Sequence, residues 1–291
     1  MENTHKAGFV SIIGKPNAGK STLMNKLLGE PLSIITPKAQ TTRRRIMGML
    51  NGEDFQIVYS DTPGLLHPNY ELHQAMMNCV KVSLEDADLV LLVVDVFETC
   101  DELLKEAAKA VKAPLLILLN KIDLSDKEKE KTDYWKAAFP QAKEVIAISA
   151  KTGRLGGLLS AIKSRLPVHA EYFPKDEYTD RSERFFAAEI IREKIFLNYE
   201  QEVPYCCEVV IDTFKEEETI IRLRANIFVE RNSQKGILIG KGGQALKKTG
   251  TDARKSLEEF FNKKVFLETF VKVAENWRKE SAWVKRFGYR S

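Results

Sequence analysis

The stretch Gly14-Lys15-Pro16-Asn17-Ala18-Gly19-Lys20-Ser21-Thr22 decides the fold of this chain. An apolar run at residues 9–13 precedes it and a helical pattern at 20–28 follows, so its glycines turn a strand into a helix. In such a loop successive backbone N–H groups point inward and the helix presents its positive end to the same spot, a natural seat for phosphate. Lys20 is then placed to bridge the β- and γ-phosphates of a nucleoside triphosphate, and the Ser21 hydroxyl to ligate Mg²⁺.

Outward from this loop, apolar runs alternate with helical patterns. Strands are expected at 9–13, 46–50, 55–59, 89–95, 115–120 and 145–149, and helices at 20–28, 72–84, 102–111, 129–138 and 158–166. That alternation predicts an α/β fold, a doubly wound and mostly parallel sheet with helices on both faces. Three further motifs then fall at carboxyl ends of strands, where open α/β sheets place their ligands. Asp61-Thr62-Pro63-Gly64 supplies a carboxylate for Mg²⁺ and a flexible N–H at Gly64 for the γ-phosphate. In Asn120-Lys121-Ile122-Asp123, the Asp123 carboxylate can accept from N1–H and the 2-amino group of guanine, donors that adenine lacks. Asn120 ties this loop to the phosphate loop, and the Lys121 stem covers one face of the base. In Ser149-Ala150-Lys151, the Ala150 N–H can donate to guanine O6, with Ser149 and Lys151 shaping the loop. A buried polar site left unpaired by the wrong base discriminates by ~10⁴–10⁵. Together the motifs predict a GTPase, with Lys20, Asp61 and Gly64 among its working residues.

The bulk numbers fit a globular chain with room for two domains: 291 residues, 44% hydrophobic and 30% charged. No apolar run approaches bilayer length, and the start shows no signal-peptide pattern. Cys79, Cys100 and the adjacent Cys206-Cys207 lack metal-ligand spacing, so zinc is not expected and a reducing cytosol is. Charge is unevenly spread. Residues 231–291 hold 15 Lys+Arg against 6 Asp+Glu, a net of +9, whereas the whole chain is +4. A basic end on an otherwise acidic chain predicts a polyanionic partner, nucleic acid or membrane surface.

The expected domains are residues 1–168, a linker at 169–180 with Pro174 and no apolar period, and residues 181–291. The last reads helix 185–199, strands 208–214 and 219–228, helix 233–239, helix 244–262, strand 264–273 and a basic helix 276–287. Between the two central helices lies Gly240-Lys241-Gly242-Gly243, a Gly-x-x-Gly loop. This order resembles a type II KH domain, whose loop grips phosphates beside a groove for roughly four unpaired bases. Lys235, Lys247 and Lys248 are the basic side chains nearest to it in sequence. In the tail, Trp277, Val284 and Phe287 share one face among Arg278, Lys279, Lys285 and Arg286. Packing on the KH core, extra RNA contact and an anionic membrane are its three open uses.

These motifs, with the run from Val229 to Gly242, resemble the Era family within the translation-factor-related P-loop GTPases, and the resemblance covers nearly the whole chain. It implies Mg²⁺-dependent hydrolysis of GTP to GDP, and binding of the 3′-end region of 16S ribosomal RNA in assembly of the 30S subunit. It further implies a cytoplasmic protein, with peripheral inner-membrane association as an alternative, that works as a monomer. Gln40-Thr41-Thr42-Arg43 stands where the class has its first switch. The resemblance makes Thr42 the Mg²⁺-sensing threonine, with adjacent Thr41 the alternative. Leu65 stands where many GTPases carry a water-orienting glutamine, so unassisted turnover is expected near or below ~10⁻⁴ s⁻¹. Asn17 matches the ligand asparagine of K⁺-dependent relatives. The competing readings are a membrane-associated cell-cycle switch and an RNA chaperone with a structural nucleotide site. A small-molecule kinase fits poorly, because the guanine-selecting pair is present and no acceptor pocket is.

Overall fold

The computed structural model describes residues 5–289. Their first part runs β1 (Lys6–Ile13), α1 (Lys20–Leu28), β2 (Ile46–Asn51), β3 (Phe55–Asp61), α2 (Glu71–Glu85), β4 (Leu89–Asp95), α3 (Glu102–Ala110), β5 (Leu115–Asn120), α4 (Glu128–Ala138), β6 (Glu144–Ala147) and α5 (Leu158–Arg165). One sheet orders them β2-β3-β1-β4-β5-β6, with β2 antiparallel to β3 and the other pairs parallel. Helices on both faces explain why β4 and β5 are apolar without alternation: Leu89 to Val94 and Leu115 to Leu119 are all buried. Trp135 of α4 and Phe139, just past its end, stack against one another and close this core. Every strand lies within a few residues of its expected place, because continuous apolar runs bounded by polar loops leave few alternatives.

Residues 169–180 are not a free tether. The Met49 N–H donates to Tyr178 O at 3.0 Å, the Thr179 hydroxyl to Met47 O at 2.7 Å, and the buried Gln56 amide binds the backbone of Tyr172 and Phe173. The stretch is an extended strap satisfying the open edge of β2, a role that leaves no periodicity to read.

The second part runs α6 (Glu183–Asn198), α7 (Val203–Cys206), β7 (Glu208–Glu216), β8 (Ile220–Val229), α8 (Asn232–Ile239), α9 (Gln244–Phe261), β9 (Lys264–Val273) and α10 (Ser281–Arg286). Its sheet is β7-β8-β9, an antiparallel hairpin followed by a parallel partner reached through α8 and α9. Ile191 and Ile195 of α6, Ala253 and Leu257 of α9, and Leu223, Ala225 and Ile227 of β8 form its core.

The last helix is shorter than the basic pattern predicts. Asn276 takes a left-handed φ of 50°, and only Ser281–Arg286 is helical. Trp277 is fully buried and its Nε1–H donates to Cys206 O at 2.7 Å, while Phe287 meets its ring edge-on. Val284 is buried as well, so the three apolar side chains of this face serve packing, one of the tail's three open uses. No helix among the described residues is long and apolar enough to cross a membrane.

The chain divides into two compact units. One runs to Pro68 and resumes over Met76–Asp180; the other takes Asn69–Ala75 and everything from Arg181 on.

Candidate functional site

The loop between β1 and α1 curls as its glycines require. Gly14 has φ 149°, and a Cβ there would stand 2.2 Å from Val93 O, so no larger residue fits. Lys20 folds back under the loop, its Nζ donating to Gly14 O at 3.1 Å and Lys15 O at 2.9 Å. Burial brings its pKa down to about 8, against the opposing pull of the Asp61 and Glu98 charges. A cavity of about 500 Å³ opens above, lined by Pro16, Asn17, Lys20, Ser21, Thr42 and Gly64 among others, with Gly19 and Thr22 also on its wall. The side chain of Lys15 turns away, to Asp101 at 2.5 Å and Glu98 at 3.1 Å. Lys15 and buried Ala18 can therefore offer a ligand little beyond their backbone.

Three oxygen groups converge at one corner. The Ser21 hydroxyl donates to Asp61 Oδ2 at 2.7 Å, and Ser21 Oγ lies 2.9 Å from Thr42 Oγ1, which also reaches Asp61. Asp61 is fully buried, which raises its pKa, although Ser21 and Lys20 oppose the shift. Its Oδ1 has no partner. An orphaned, buried carboxylate oxygen beside two hydroxyls is a donor set that suits a hard cation such as Mg²⁺. Thr41 is elsewhere: its hydroxyl pairs with Thr36 Oγ1 at 2.6 Å and Lys38 O at 2.7 Å.

Gly64 passes close to Pro16 of the loop opposite: a Cβ there would stand 2.7 Å from Pro16 N, so no larger residue fits without a shift. Thr62 is turned inward, donating to Ile12 O at 2.8 Å, so it and Pro63 hold the segment's course. Leu65 is buried in the core among Val90, Leu92 and Ile117, and its N–H donates to Gly14 O at 3.0 Å. It cannot position a water, by chemistry or by place.

The third corner carries base selection. Asn120 Nδ2 donates to Ala18 O at 2.8 Å, tying β5 to the phosphate loop as expected. Asp123 is exposed and held by the Ser149 hydroxyl at 2.6 Å. Lys121 has φ 66° and bonds Asp95 at 2.5 Å, which stretches its stem across the loop. The Ala150 N–H differs from expectation: it donates to Asn120 Oδ1 at 2.9 Å, so guanine O6 would share that donor. Lys151 is exposed beside it. Sequence reasoning missed Asp95, Glu98 and Asp101, which orient Lys121 and Lys15. Their signal was position, since all three follow or end β4 at the ligand side of the sheet.

In the second unit Gly240-Lys241-Gly242-Gly243 forms a tight turn between α8 and α9. None of Lys241, Gly242 and Gly243 is buried, and the space around Gly242 is open. Exposed Lys247 and Lys248 follow on α9; Lys235 of α8 is half-buried. Within the same unit, Leu72 N–H donates to Arg278 O at 3.0 Å, and the Arg278 guanidinium lies 5.2 Å over the Tyr70 ring. Arg278 also pairs with Glu230 at 2.5 Å, which more than offsets burial and raises its pKa. The Glu230 and Arg231 N–H groups both donate to Gln234 Oε1 at 3.0 Å, so this cluster abuts the start of α8.

A phosphate loop, a cation corner and a guanine-selecting loop on this sheet, followed in the chain by a KH module, define a P-loop GTPase of the two-domain kind. A sequence model of the 50S ribosome-binding GTPase family matches residues 9–121, and that of the KH domain matches 202–278. GTPase Era of Syntrophus aciditrophicus is 46% identical over 292 residues, covering 98% of this chain and 95% of its own. GTPase Era of Staphylococcus epidermidis is 40% identical, covering 98% and 97%. A crystal structure of Era with MgGDPNP and nucleotides 1506–1542 of 16S ribosomal RNA is 37% identical, with a TM-score of 0.93 over 99% of this chain and 100% of that one. The chain belongs to the Era family of GTPases.

Proposed function

We propose that this protein is a slow GTP-driven switch that holds the 3′-end region of 16S ribosomal RNA during assembly of the 30S subunit, working in the cytoplasm. The observation that carries this reading is the full-length likeness to an Era that holds MgGDPNP and that RNA together. In the nucleotide site, Ser21, Thr42 and Asp61 hold Mg²⁺, which supplies positive charge to the β- and γ-phosphates. Lys20 leaves its two carbonyls for those phosphates, and the Gly64 N–H reports the γ-phosphate. Asp123 selects guanine, fixed in orientation by Ser149. With Leu65 apolar and buried, the position that carries a water-orienting glutamine in many GTPases cannot do that work, so turnover is slow without a partner.

A monovalent cation is the natural substitute for the missing charge. The Asn17 amide donates to Pro37 O at 3.1 Å, which brings a phosphate-loop amide beside a switch carbonyl, ligand types that suit K⁺. Phosphate release measured in KCl and in NaCl tests this: faster turnover in KCl supports it, and equal rates overturn it.

Coupling to RNA runs along the chain. Asn69–Ala75 continues directly from the Asp61–Leu65 switch and is bonded in the second unit to Arg278, hence to Glu230 and the start of α8. The γ-phosphate that orders the switch thereby biases the module that presents Gly240 to Gly243. Crosslinking to an RNA of nucleotides 1506–1542 in the GTP-analogue state, with Gly242→Asp as control, tests the reading. Equal crosslinking by both proteins refutes it.

A further inference from the structure

The outer face of the β7-β8-β9 sheet, opposite α6 and α9, is unusual for a surface. Along β9 it presents Phe266 and Phe270, 46% and 43% exposed. The neighbouring strand sets an arginine on each: Arg222 lies 5.5 Å from the Phe266 centroid and Arg224 5.5 Å from that of Phe270. Further along the same face, Phe228 is covered by Trp283 and Phe287 of the tail, and Arg286 stacks 4.8 Å over Trp283. Three arginine–aromatic pairs thus line one side of one sheet. Exposed Lys215, Lys264 and Lys272 flank them. The carboxylates nearby are Asp212, Glu217 and Glu268, and the last two are engaged by Arg222 and Arg224.

Aromatic faces half open to solvent, interleaved with cations in excess of carboxylates, suit an occupant with flat rings and regular negative charge. Bases stack on the rings while guanidinium and ammonium groups take the phosphates. A membrane surface would want a bulkier apolar projection than two rings lying among charged neighbours. A protein partner would leave the excess of cations uncompensated. Phe266 and Phe270 are four residues apart on a strand, roughly 13 Å, a span that about four stacked nucleotides cover.

We propose that this sheet face is a second RNA platform, separated from the Gly240–Gly243 loop by the thickness of the module, which stacks unpaired bases flanking the segment held by that loop. The proposal rests on the RNA-binding reading above and extends it to a different surface.

The test is Phe266→Ala/Phe270→Ala, with Phe266→Tyr/Phe270→Tyr as the conservative pair, each compared with Gly242→Asp. The probe is an RNA of nucleotides 1506–1542 carrying photoreactive uridines, scored by affinity and by mapping crosslinked peptides. Loss of the exposed rings should weaken binding roughly tenfold per ring, abolish crosslinks to the 264–273 peptide and spare those at the loop. The tyrosine pair should bind as the parent does. Gly242→Asp should show the reverse crosslinking pattern, so a loop that fails while the platform holds is distinguishable from the opposite. Unchanged affinity in the alanine pair, absence of crosslinks to 264–273, or preferential capture of anionic vesicles by this face would each overturn the proposal.

Discussion

Lys20 offers a direct probe of the nucleotide site, because in the free protein it is buried, with two carbonyls accepting from it and only the Asp61 and Glu98 charges opposing the loss of its proton. Burial brings its pKa down to about 8 from an ordinary 10.5. Between those two values the unfolded chain keeps a proton that the folded one releases, so stability of the free protein rises with pH through that window. Below about pH 8 the folded state carries the charged lysine at a cost on the order of 3 kcal/mol. Phosphates of GTP placed at Nζ favour the ammonium and lift its pKa again. Binding at about pH 8.5 should therefore take up about three-quarters of a proton, and at about pH 7 only about a tenth. Mg²⁺ at Asp61 works in the opposite sense, since its carboxyl pKa is raised by burial and metal displaces any proton it holds. Lys20→Met separates the two. Calorimetric titration with GTP in buffers of different ionisation enthalpy reads the uptake, and the methionine variant should lose the lysine's share entirely. The same variant should melt higher than the parent without nucleotide, and gain less than the parent does from saturating GTP. Equal proton uptake by parent and variant would refute this account of the lysine.

Three further outcomes follow from named contacts. Asp123→Asn should shift preference from guanine to xanthine nucleotides, because an amide donates where xanthine accepts; competition binding of GTP against XTP checks it. Gly242→Asp should abolish RNA crosslinks at the Gly240–Gly243 loop while leaving GTP affinity near that of the parent, since the added charge opposes phosphate; the left-handed φ of 59° at Gly242 should lower the melting temperature somewhat. Trp277→Ala should cost about 3–5 kcal/mol in chemical denaturation of the C-terminal unit, through the cavity and the orphaned Cys206 carbonyl.

The sheet and its ligand edge were legible because β4 and β5 are unbroken apolar runs whose ends carry the motifs. Asp61 and Ser21 meet where their motifs placed them, and Thr42, assigned there by family resemblance, joins them. Which of Thr41 and Thr42 reaches that corner was not legible from residue type, as both carry the same hydroxyl; only the path after Gln40, with its φ of 59°, decides it. The strap at 169–180 was hidden because an edge strap needs backbone hydrogen bonds rather than periodic side chains. The tail's length was hidden by a left-handed Asn276 that composition does not announce. Ala150 shows the same limit at finer scale, since its N–H goes to Asn120 through a contact thirty residues apart in sequence. The arginine–aromatic face needed strand register, as Arg222 and Phe266 become neighbours only through the parallel pairing of β8 with β9.

Affinity for RNA as a function of nucleotide state tests the central claim most directly. Fluorescence titration of labelled nucleotides 1506–1542 against the whole protein should give markedly tighter binding with Mg²⁺ and a non-hydrolysable GTP analogue than with GDP. One common dissociation constant for analogue, GDP and nucleotide-free protein would contradict the account of a switch in its entirety.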